Sequence, residues 1–224
     1  MTVSTCRLRS VTMDFWDSEL HRDITDLAHG TPTWVQRTAE TWTEAGLLLF
    51  AALFVIVWWR ARRDTTRAFA IAVLAPLATA TAYVCSEVLK SGFAEERPCR
   101  AMARAAPSLA ACPPSGDWSF PSNHATIAGA AAIALALTGR ALLRLTAPLA
   151  LLMAFSRVFV GVHYPHDVAA GLVLGAAVAV AAVRLGTRPA IRLAEAMRAS
   201  SAPPVRWFTG PGPARVPAYG MDTR

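Results

Sequence analysis

The sequence predicts an all-α protein: a polytopic helical bundle in the membrane, with about five transmembrane helices and an N-terminal helix lying at the interface. Three observations lead there. With 54% hydrophobic residues and a mean hydropathy of +0.36, the chain is too apolar for an ordinary soluble domain of its length. Five apolar stretches approach the roughly 20 residues that cross a bilayer, at about 43–59, 68–89, 123–139, 142–159 and 166–184. The arginines are also distributed to one side of such a bundle. A net charge of +7 raises nucleic acid as a partner. Long apolar runs interrupt the basic residues, however, and no basic helix with interleaved aromatics appears, so nucleic acid is excluded.

Residues 1–42 form a first segment. It carries Asp14, Asp17, Glu19, Asp23 and Asp26 and has no apolar core of signal-peptide type, so no cleaved export signal is expected. Within it, residues 16–41 scatter Trp16, Leu20, Ile24, Leu27, Trp34 and Val35 among charges, the pattern of a helix lying at the membrane surface. His21 and His29 fall in this stretch and read as surface residues.

Residues 43–186 form the transmembrane region. Its spans are rich in Ala and Gly, as in Ala128-Gly129-Ala130-Ala131-Ala132, which lets helix backbones approach closely where lipid supplies no hydrophobic drive between them. The 60–67 link, the link around Arg140 and Arg144, and the chain from Arg184 onward together hold 13 Arg against three acids. Residues 1–44 hold 4 Arg against 7 acids. By the positive-inside bias the first group is cytoplasmic, which puts the N-terminal segment, the 90–122 loop and the 157–167 turn together on the outer face. The chain ends in an Arg- and Pro-rich tail, 187–224, expected to be largely disordered.

Charged residues beside spans are costly and invite a functional reading. Here they cluster at the outer ends. Lys90 is the one lysine among 22 basic residues, and a lone ammonium in an arginine-biased chain marks a place a planar guanidinium does not suit. With Arg97 and Arg157 it makes three cations suited to the three oxygens of a phosphoryl group. Ser122 and Asn123 open a helix after Pro121, where backbone N–H groups are expected to be free and aligned with the positive end of the dipole. Two histidines offer complementary proton chemistry. His163 is the expected nucleophile, Asp167, four residues on, its orienting carboxylate, and His124 the general acid. Carboxylates are scarce and cysteines are not closely paired, so neither a metal nor another cofactor is expected. His166 falls outside the spacing of this set and reads as a hydrogen-bonding bystander rather than a second base. Glu87 reads as a structural ion-pair partner of Lys90. Trp42, Trp58 and Trp59 fit interfacial anchors. Cys99 and Cys112 share the outer loop, and an oxidising exterior would join them.

In this order the residues match three signatures. Lys90 to Arg97-Pro98 fits K-x6-R-P, Pro121-Ser122-Asn123-His124 resembles P-S-G-H, and Ser156-Arg157 through His163 to Asp167 fits S-R-x5-H-x3-D. The chain thus resembles the type 2 phosphatidic acid phosphatase superfamily, which also contains the vanadium haloperoxidases, over roughly residues 68–184. The resemblance implies a phosphohistidine on His163, protonation of the leaving group by His124, and phosphate held by Lys90, Arg97, Ser122, Asn123 and Arg157. The stretch from Arg157 to Pro165 is also similar to the bacterial undecaprenyl-diphosphate phosphatases of this superfamily. That similarity implies a multi-pass plasma-membrane enzyme with an outward-facing site and a lipid-linked phosphate as substrate. Phosphatidic acid and phosphatidylglycerol phosphate stand as alternative substrates, and a lipid phosphotransferase or a transporter as alternative functions. A vanadate-dependent peroxidase is disfavoured because those relatives are soluble. Two departures stand out: Asn123 where the family has Gly, and five spans where many members have six.

Overall fold

The computed structural model describes residues 3–102 and 106–213, with side chains from residue 16 onward. The described residues are helical with no strand, in the order α1 (Val3–Gly30), α2 (Thr33–Ala45), α3 (Leu47–Ala61), α4 (Thr66–Phe93), the single turn α5 (Pro98–Ala101), α6 (Asn123–Thr138), α7 (Leu143–Phe159), α8 (Pro165–Ala199) and α9 (Pro203–Thr209).

The count of spans differs from the expected five. Three stretches, Thr66–Ala101, Arg140–Phe159 and Pro165–Ala199, are long and apolar enough to cross a bilayer. A fourth is reached only if α2 and α3, bent by 46° at Gly46, act as one. The stretch expected at 123–139 is the 16-residue α6, shorter than a full span. Its position explains how a short helix suffices. It is the centre of the bundle, packed on α4, α7 and α8, with nine residues from Ala125 to Leu135 buried. Neighbouring helices rather than lipid surround it.

Small residues set this close packing. A Cβ on Gly171 of α8 would lie 2.7 Å from the Ser122 carbonyl oxygen, and one on Gly129 of α6 would lie 2.7 Å from the Leu172 carbonyl oxygen. Only glycine lets the α6 and α8 backbones meet here, and that meeting holds the start of α6 against the first turns of α8. A second core of Phe50, Leu135 and Met153 joins α3, α6 and α7.

Two expectations outside the bundle are revised. The N-terminal stretch is two helices broken at Thr31-Pro32, and α1 does more than lie on a surface. His21 is 2% exposed, and Ala28 packs with Phe159, Val160 and Val162. Trp16, Leu20, Leu27 and Trp34 remain exposed, as a membrane-facing side requires. The tail expected to be disordered is in part built. Residues 187–199 continue α8, and α9 docks Phe208 against Phe69 and Trp58 with ring centroids 5.7 and 5.5 Å apart. Pro203 starts α9 instead of breaking it, because a first-turn proline loses no helical hydrogen bond. Residues 214–224 of the expected tail lie outside the described residues.

Candidate active site

The C-terminal ends of α4 and α7 and the N-terminal ends of α6 and α8 meet at one end of the bundle, so all eight residues singled out from sequence arrive in one place. Each is placed by a local device. Pro165 occupies the first turn of α8, and Asp167, three residues after the capping position, turns back so that its Oδ2 accepts the Tyr164 N–H at 2.8 Å. The same oxygen takes His163 Nδ1 at 3.2 Å and the Ser119 hydroxyl at 2.5 Å. Asp167 is fully buried, and its other oxygen, Oδ1, has no hydrogen-bond partner.

His163 is 1% exposed and held on three sides. Its Nδ1 faces Asp167, its carbonyl oxygen lies 3.2 Å from His21 Nδ1, and its Nε2 lies 2.9 Å from Arg97 Nη1. This network assigns the proton to Nδ1 and leaves the Nε2 lone pair pointing at the guanidinium. Burial pushes the ring down to about 4 from an ordinary 6.5; Asp167 opposes the shift, and Arg97 and Arg157 add to it. Near neutral pH the imidazole is therefore uncharged and nucleophilic.

Three buried cations gather at this end: Arg97 (3% exposed) against this nitrogen, Arg157 (7%) in its field, and Lys90 (5%) joined to Arg97 through Asp117. Arg157 donates Nη1 to Thr43 Oγ1 at 2.9 Å, while its Nε has no acceptor. The Ser122 hydroxyl is also buried and without a partner. Buried polar groups are nearly always satisfied, so unpaired donors gathered around one point indicate a place prepared for an anion. The backbone expectation holds for one residue of two. The Ser122 N–H is taken by the Asp167 carbonyl at 3.1 Å, whereas Asn123, first in α6, has no helical acceptor for its own N–H. His124 follows on the same turn, partly exposed, in the field of Arg157, His163, Arg97 and Lys90.

Several contributors are not legible in the motifs. Asp117 accepts Lys90 Nζ and Arg97 Nη2 at 2.9 Å each, and its carbonyl takes Arg97 Nε at 2.8 Å. A carboxylate thus lies across two of the three cations. Burial alone would raise Asp117, but the Lys90 and Arg97 contacts outweigh it and hold the group below the ordinary carboxylate range. Ser119 supports Asp167. Asn123, standing where the family has Gly, accepts the Ser86 hydroxyl at 2.7 Å and donates to Glu87. Glu87 makes the expected ion pair with Lys90, at 3.9 Å, and accepts from Asn123 as well. The clue to Asp117 and Ser119 is their position immediately before Pro121-Ser122-Asn123-His124.

His166 is the hydrogen-bonding residue expected, and its partners reach further than its place outside the motif suggests. Its Nδ1 meets Asp17 at 2.7 Å, and its Nε2 meets Glu95 at 3.2 Å and Asp167 Oδ1 at 3.3 Å. The ring lies between Phe120 and Tyr164. It ties α1 to the catalytic loops. Glu95, His166 and Asp167 bring three possible ligand atoms within 4.8 Å of one another, the one such group of metal-ligating side chains among the described residues. Both ring nitrogens of His166 already face carboxylates there. His29 is a surface residue, as expected, bonded to the Pro107 carbonyl. Cys99 and Cys112 are joined in a disulfide with Cα atoms 6.0 Å apart, bracing the loop that carries Arg97 and Asp117.

Comparisons with known proteins bear on the family and the fold. The family model described as PAP2 superfamily matches residues 71–189. An undecaprenyl-diphosphatase of Sulfolobus acidocaldarius is 35% identical over 117 residues, 52% of this chain and 55% of that protein. A decaprenylphosphoryl-5-phosphoribose phosphatase of Mycobacterium tuberculosis is 55% identical over 62 residues, 27% of this chain and 33% of that protein. The chain thus spans about half, or less, of the length of the curated relatives it matches. Among solved structures, a transmembrane PAP2-type phosphatidylglycerolphosphate phosphatase of Bacillus subtilis superposes with a TM-score of 0.59 at 20% identity, covering 79% of this chain and 87% of that one. Aquifex aeolicus LpxE superposes with a TM-score of 0.51 at 20% identity, covering 74% and 93%. Both show a shared fold.

Proposed function

This chain belongs to the PAP2 superfamily, and on that premise we propose that it is a membrane lipid phosphatase that hydrolyses undecaprenyl diphosphate to undecaprenyl phosphate and inorganic phosphate through a phosphohistidine on His163. The observation that carries the reading is the His163 ring: Nδ1 anchored on Asp167, Nε2 unprotonated and turned into the buried cations. In the first step Nε2 attacks the terminal phosphorus, the P–N bond forms, and the bond from phosphorus to the bridging oxygen breaks. His124, which takes up a proton once the anionic substrate offsets the cations around it, gives that proton to the bridging oxygen. Lys90, Arg97, Arg157, the Ser122 hydroxyl and the Asn123 N–H hold the three equatorial oxygens, and Asp117 yields Lys90 and Arg97 to them. Asp167 stabilises the positive charge that appears on the phosphorylated ring. In the second step His124 accepts a proton from water, the water oxygen attacks phosphorus, and the P–N bond breaks. Protein cations supply the charge stabilisation that a divalent metal gives in other phosphoryl transfers, so no metal is needed for these steps.

The polyprenyl substrate rests on the relatives, two of which are named for polyprenyl-linked phosphates. The higher identity to the decaprenylphosphoryl-5-phosphoribose phosphatase favours a second reading, a phosphomonoester on a polyprenyl-linked sugar, which the same residues would hydrolyse. An outward-facing site is supported by the arginine asymmetry and by the disulfide at the catalytic end, since disulfides persist outside the reducing cytosol. The test is phosphate release by detergent-purified protein in EDTA, comparing undecaprenyl diphosphate, a polyprenyl-phosphoryl pentose phosphate and phosphatidic acid, for wild type and His163→Ala. Release that survives EDTA and disappears in His163→Ala is expected, with the diphosphate preferred. Undiminished release by His163→Ala would overturn the mechanism, and preference for phosphatidic acid would overturn the substrate assignment.

A further inference from the structure

At the opposite end of the bundle the structure holds a second cationic site that the phosphatase reading does not use. The C-terminus of α3, the N-terminus of α4, the C-terminus of α8 and helix α9 converge there. With about 1.5 Å of rise per residue, the 28 residues of α4 put it roughly 40 Å from the catalytic end. These elements enclose a cavity of about 530 Å³ lined by Arg62, Arg198 and Arg206 together with Trp207 and the turn at Gly210.

The site is built. Arg198 donates Nη1 to Thr66 Oγ1 and Nη2 to the Asp64 carbonyl, both at 3.1 Å. Arg62 donates to the Trp207 carbonyl, and its guanidinium lies 4.2 Å from the Trp59 ring centroid and 5.2 Å from that of Trp207. Gly210, at φ +70°, lets the end of α9 close onto Arg62, where a Cβ would stand 2.5 Å from the Arg62 Cβ. Two guanidiniums are thereby fixed in place by groups that neutralise no charge. Their Nε atoms, on Arg62 and Arg198, are buried without an acceptor. Arg206 stands exposed at the rim, and its guanidinium makes no hydrogen bond among the described residues. Among those residues every ion pair lies at the catalytic end, and none involves these arginines. Among the described residues Asp64 is the one carboxylate whose charge reaches Arg198, and it forms no ion pair with it, so three convergent cations keep an excess of positive charge suited to an anion with several acceptor oxygens, the form of a phosphate group.

The surroundings identify the source of the phosphate. Trp59 and Trp207 are 50% and 59% exposed beside the cavity, as aromatic rings at headgroup level are. Leu185 and Leu193 lie exposed along α8 toward the bilayer. We propose that this cavity binds the headgroup phosphate of an anionic phospholipid in the leaflet opposite the catalytic cluster, through Arg62, Arg198 and Arg206. Basic pockets between helix ends recognise lipid headgroups in this way. The lipid would hold α9 against the bundle and leave the catalytic residues untouched.

The experiment is native mass spectrometry of the full chain released from mixed phosphatidylglycerol and phosphatidylcholine micelles, for wild type, Arg206→Gln, the Arg198→Gln/Arg206→Gln pair, and Arg97→Gln. Wild type and Arg97→Gln should retain phosphatidylglycerol in preference to phosphatidylcholine. Arg206→Gln, which removes only an exposed side chain, should weaken that preference about fivefold, the effect of one basic residue at an anionic surface, and the pair should weaken it further. Arg206→Lys should restore most of it. A preference lost in Arg97→Gln but intact in the pair would place the lipid at the catalytic end and overturn the proposal. Complete displacement of phosphatidylglycerol by millimolar inorganic phosphate would also overturn it, by showing a free-phosphate site.

Discussion

Replacing Asp167 by Asn tests the mechanism at its most exposed point. One oxygen of this fully buried carboxylate accepts three hydrogen bonds, from the Ser119 hydroxyl, the Tyr164 N–H and His163 Nδ1, while the other makes no hydrogen bond and has His166 Nε2 as its ionic neighbour at 3.3 Å. Asparagine can keep its carbonyl at the accepting position and place its amide where Oδ1 stood, so the hydrogen bond to His163 and its tautomer survive, while His166, 3.3 Å from Oδ1, loses a carboxylate but keeps Asp17 and Glu95. At His163 only the charge is removed. The charge matters when Nε2 bonds to phosphorus and the ring becomes cationic. A full charge on the ring 3.2 Å from the carboxylate is stabilised by about 5 kcal/mol at an effective dielectric of about 20. The neutral hydrogen bond that asparagine keeps returns about 1 kcal/mol. The difference, about 4 kcal/mol at roughly 1.4 kcal/mol per tenfold, predicts a fall in kcat of roughly a thousandfold with KM changed little. The assay is phosphate release in parallel with rapid quench into alkali to capture phosphohistidine, and thermal unfolding to confirm that the variant is folded. A folded Asp167→Asn enzyme with kcat within tenfold of wild type would refute the assignment of Asp167 as the stabiliser of the charged ring.

The other expectations follow from the same site. Asp117→Asn removes the carboxylate that competes with phosphate for Lys90 and Arg97; inorganic phosphate should inhibit the variant at about three- to tenfold lower concentration, and weaker inhibition would mean that Asp117 holds the cations in place instead. The depressed His163 makes the acid limb informative. A ring with a pKa of about 4 is still neutral at pH 5.5, whereas one at the ordinary 6.5 would lose about eightfold in its neutral form between pH 7 and pH 5.5. Phosphoenzyme formation measured in single turnovers should therefore hold nearly level over that interval, and an eightfold fall would contradict the burial argument. Opening the Cys99–Cys112 bridge, which closes a loop 13 residues apart in sequence, with the double Ser variant should cost on the order of 3 kcal/mol and loosen the segment carrying Arg97 and Asp117. Unchanged thermal unfolding and KM would show that this loop is ordered without it.

Much of the site was legible because its chemistry is carried by residue types that are expensive where they stand. Lys90, Arg97 and Arg157 at the ends of apolar stretches, and His163 four residues before Asp167, draw attention by charge and spacing alone. Asp117 and Ser119 did not, because a carboxylate and a hydroxyl in a polar loop look ordinary until the loop is folded over Lys90 and Asp167. His21 and His166 read as peripheral for a related reason. His21 is 142 residues from the His163 carbonyl it faces, and the Asp17 that pairs with His166 is 149 residues away, so no local pattern announces either contact.

The same division runs through the fold. Apolar runs and the arginine bias determined that the chain is helical and membrane-type and that its motifs share one end, since hydropathy and charge act on each segment separately. Tertiary structure decided what segments do to one another. It made α6 a short central helix enclosed by its neighbours, bent the first expected span at Gly46, brought α1 onto the catalytic loops, and docked α9 of a Pro-rich tail through Phe208 onto Phe69. Each of these depends on which surfaces meet across long sequence separations. A linear pattern records a residue's own cost of burial; the partner that offsets the cost appears only when the chain is folded.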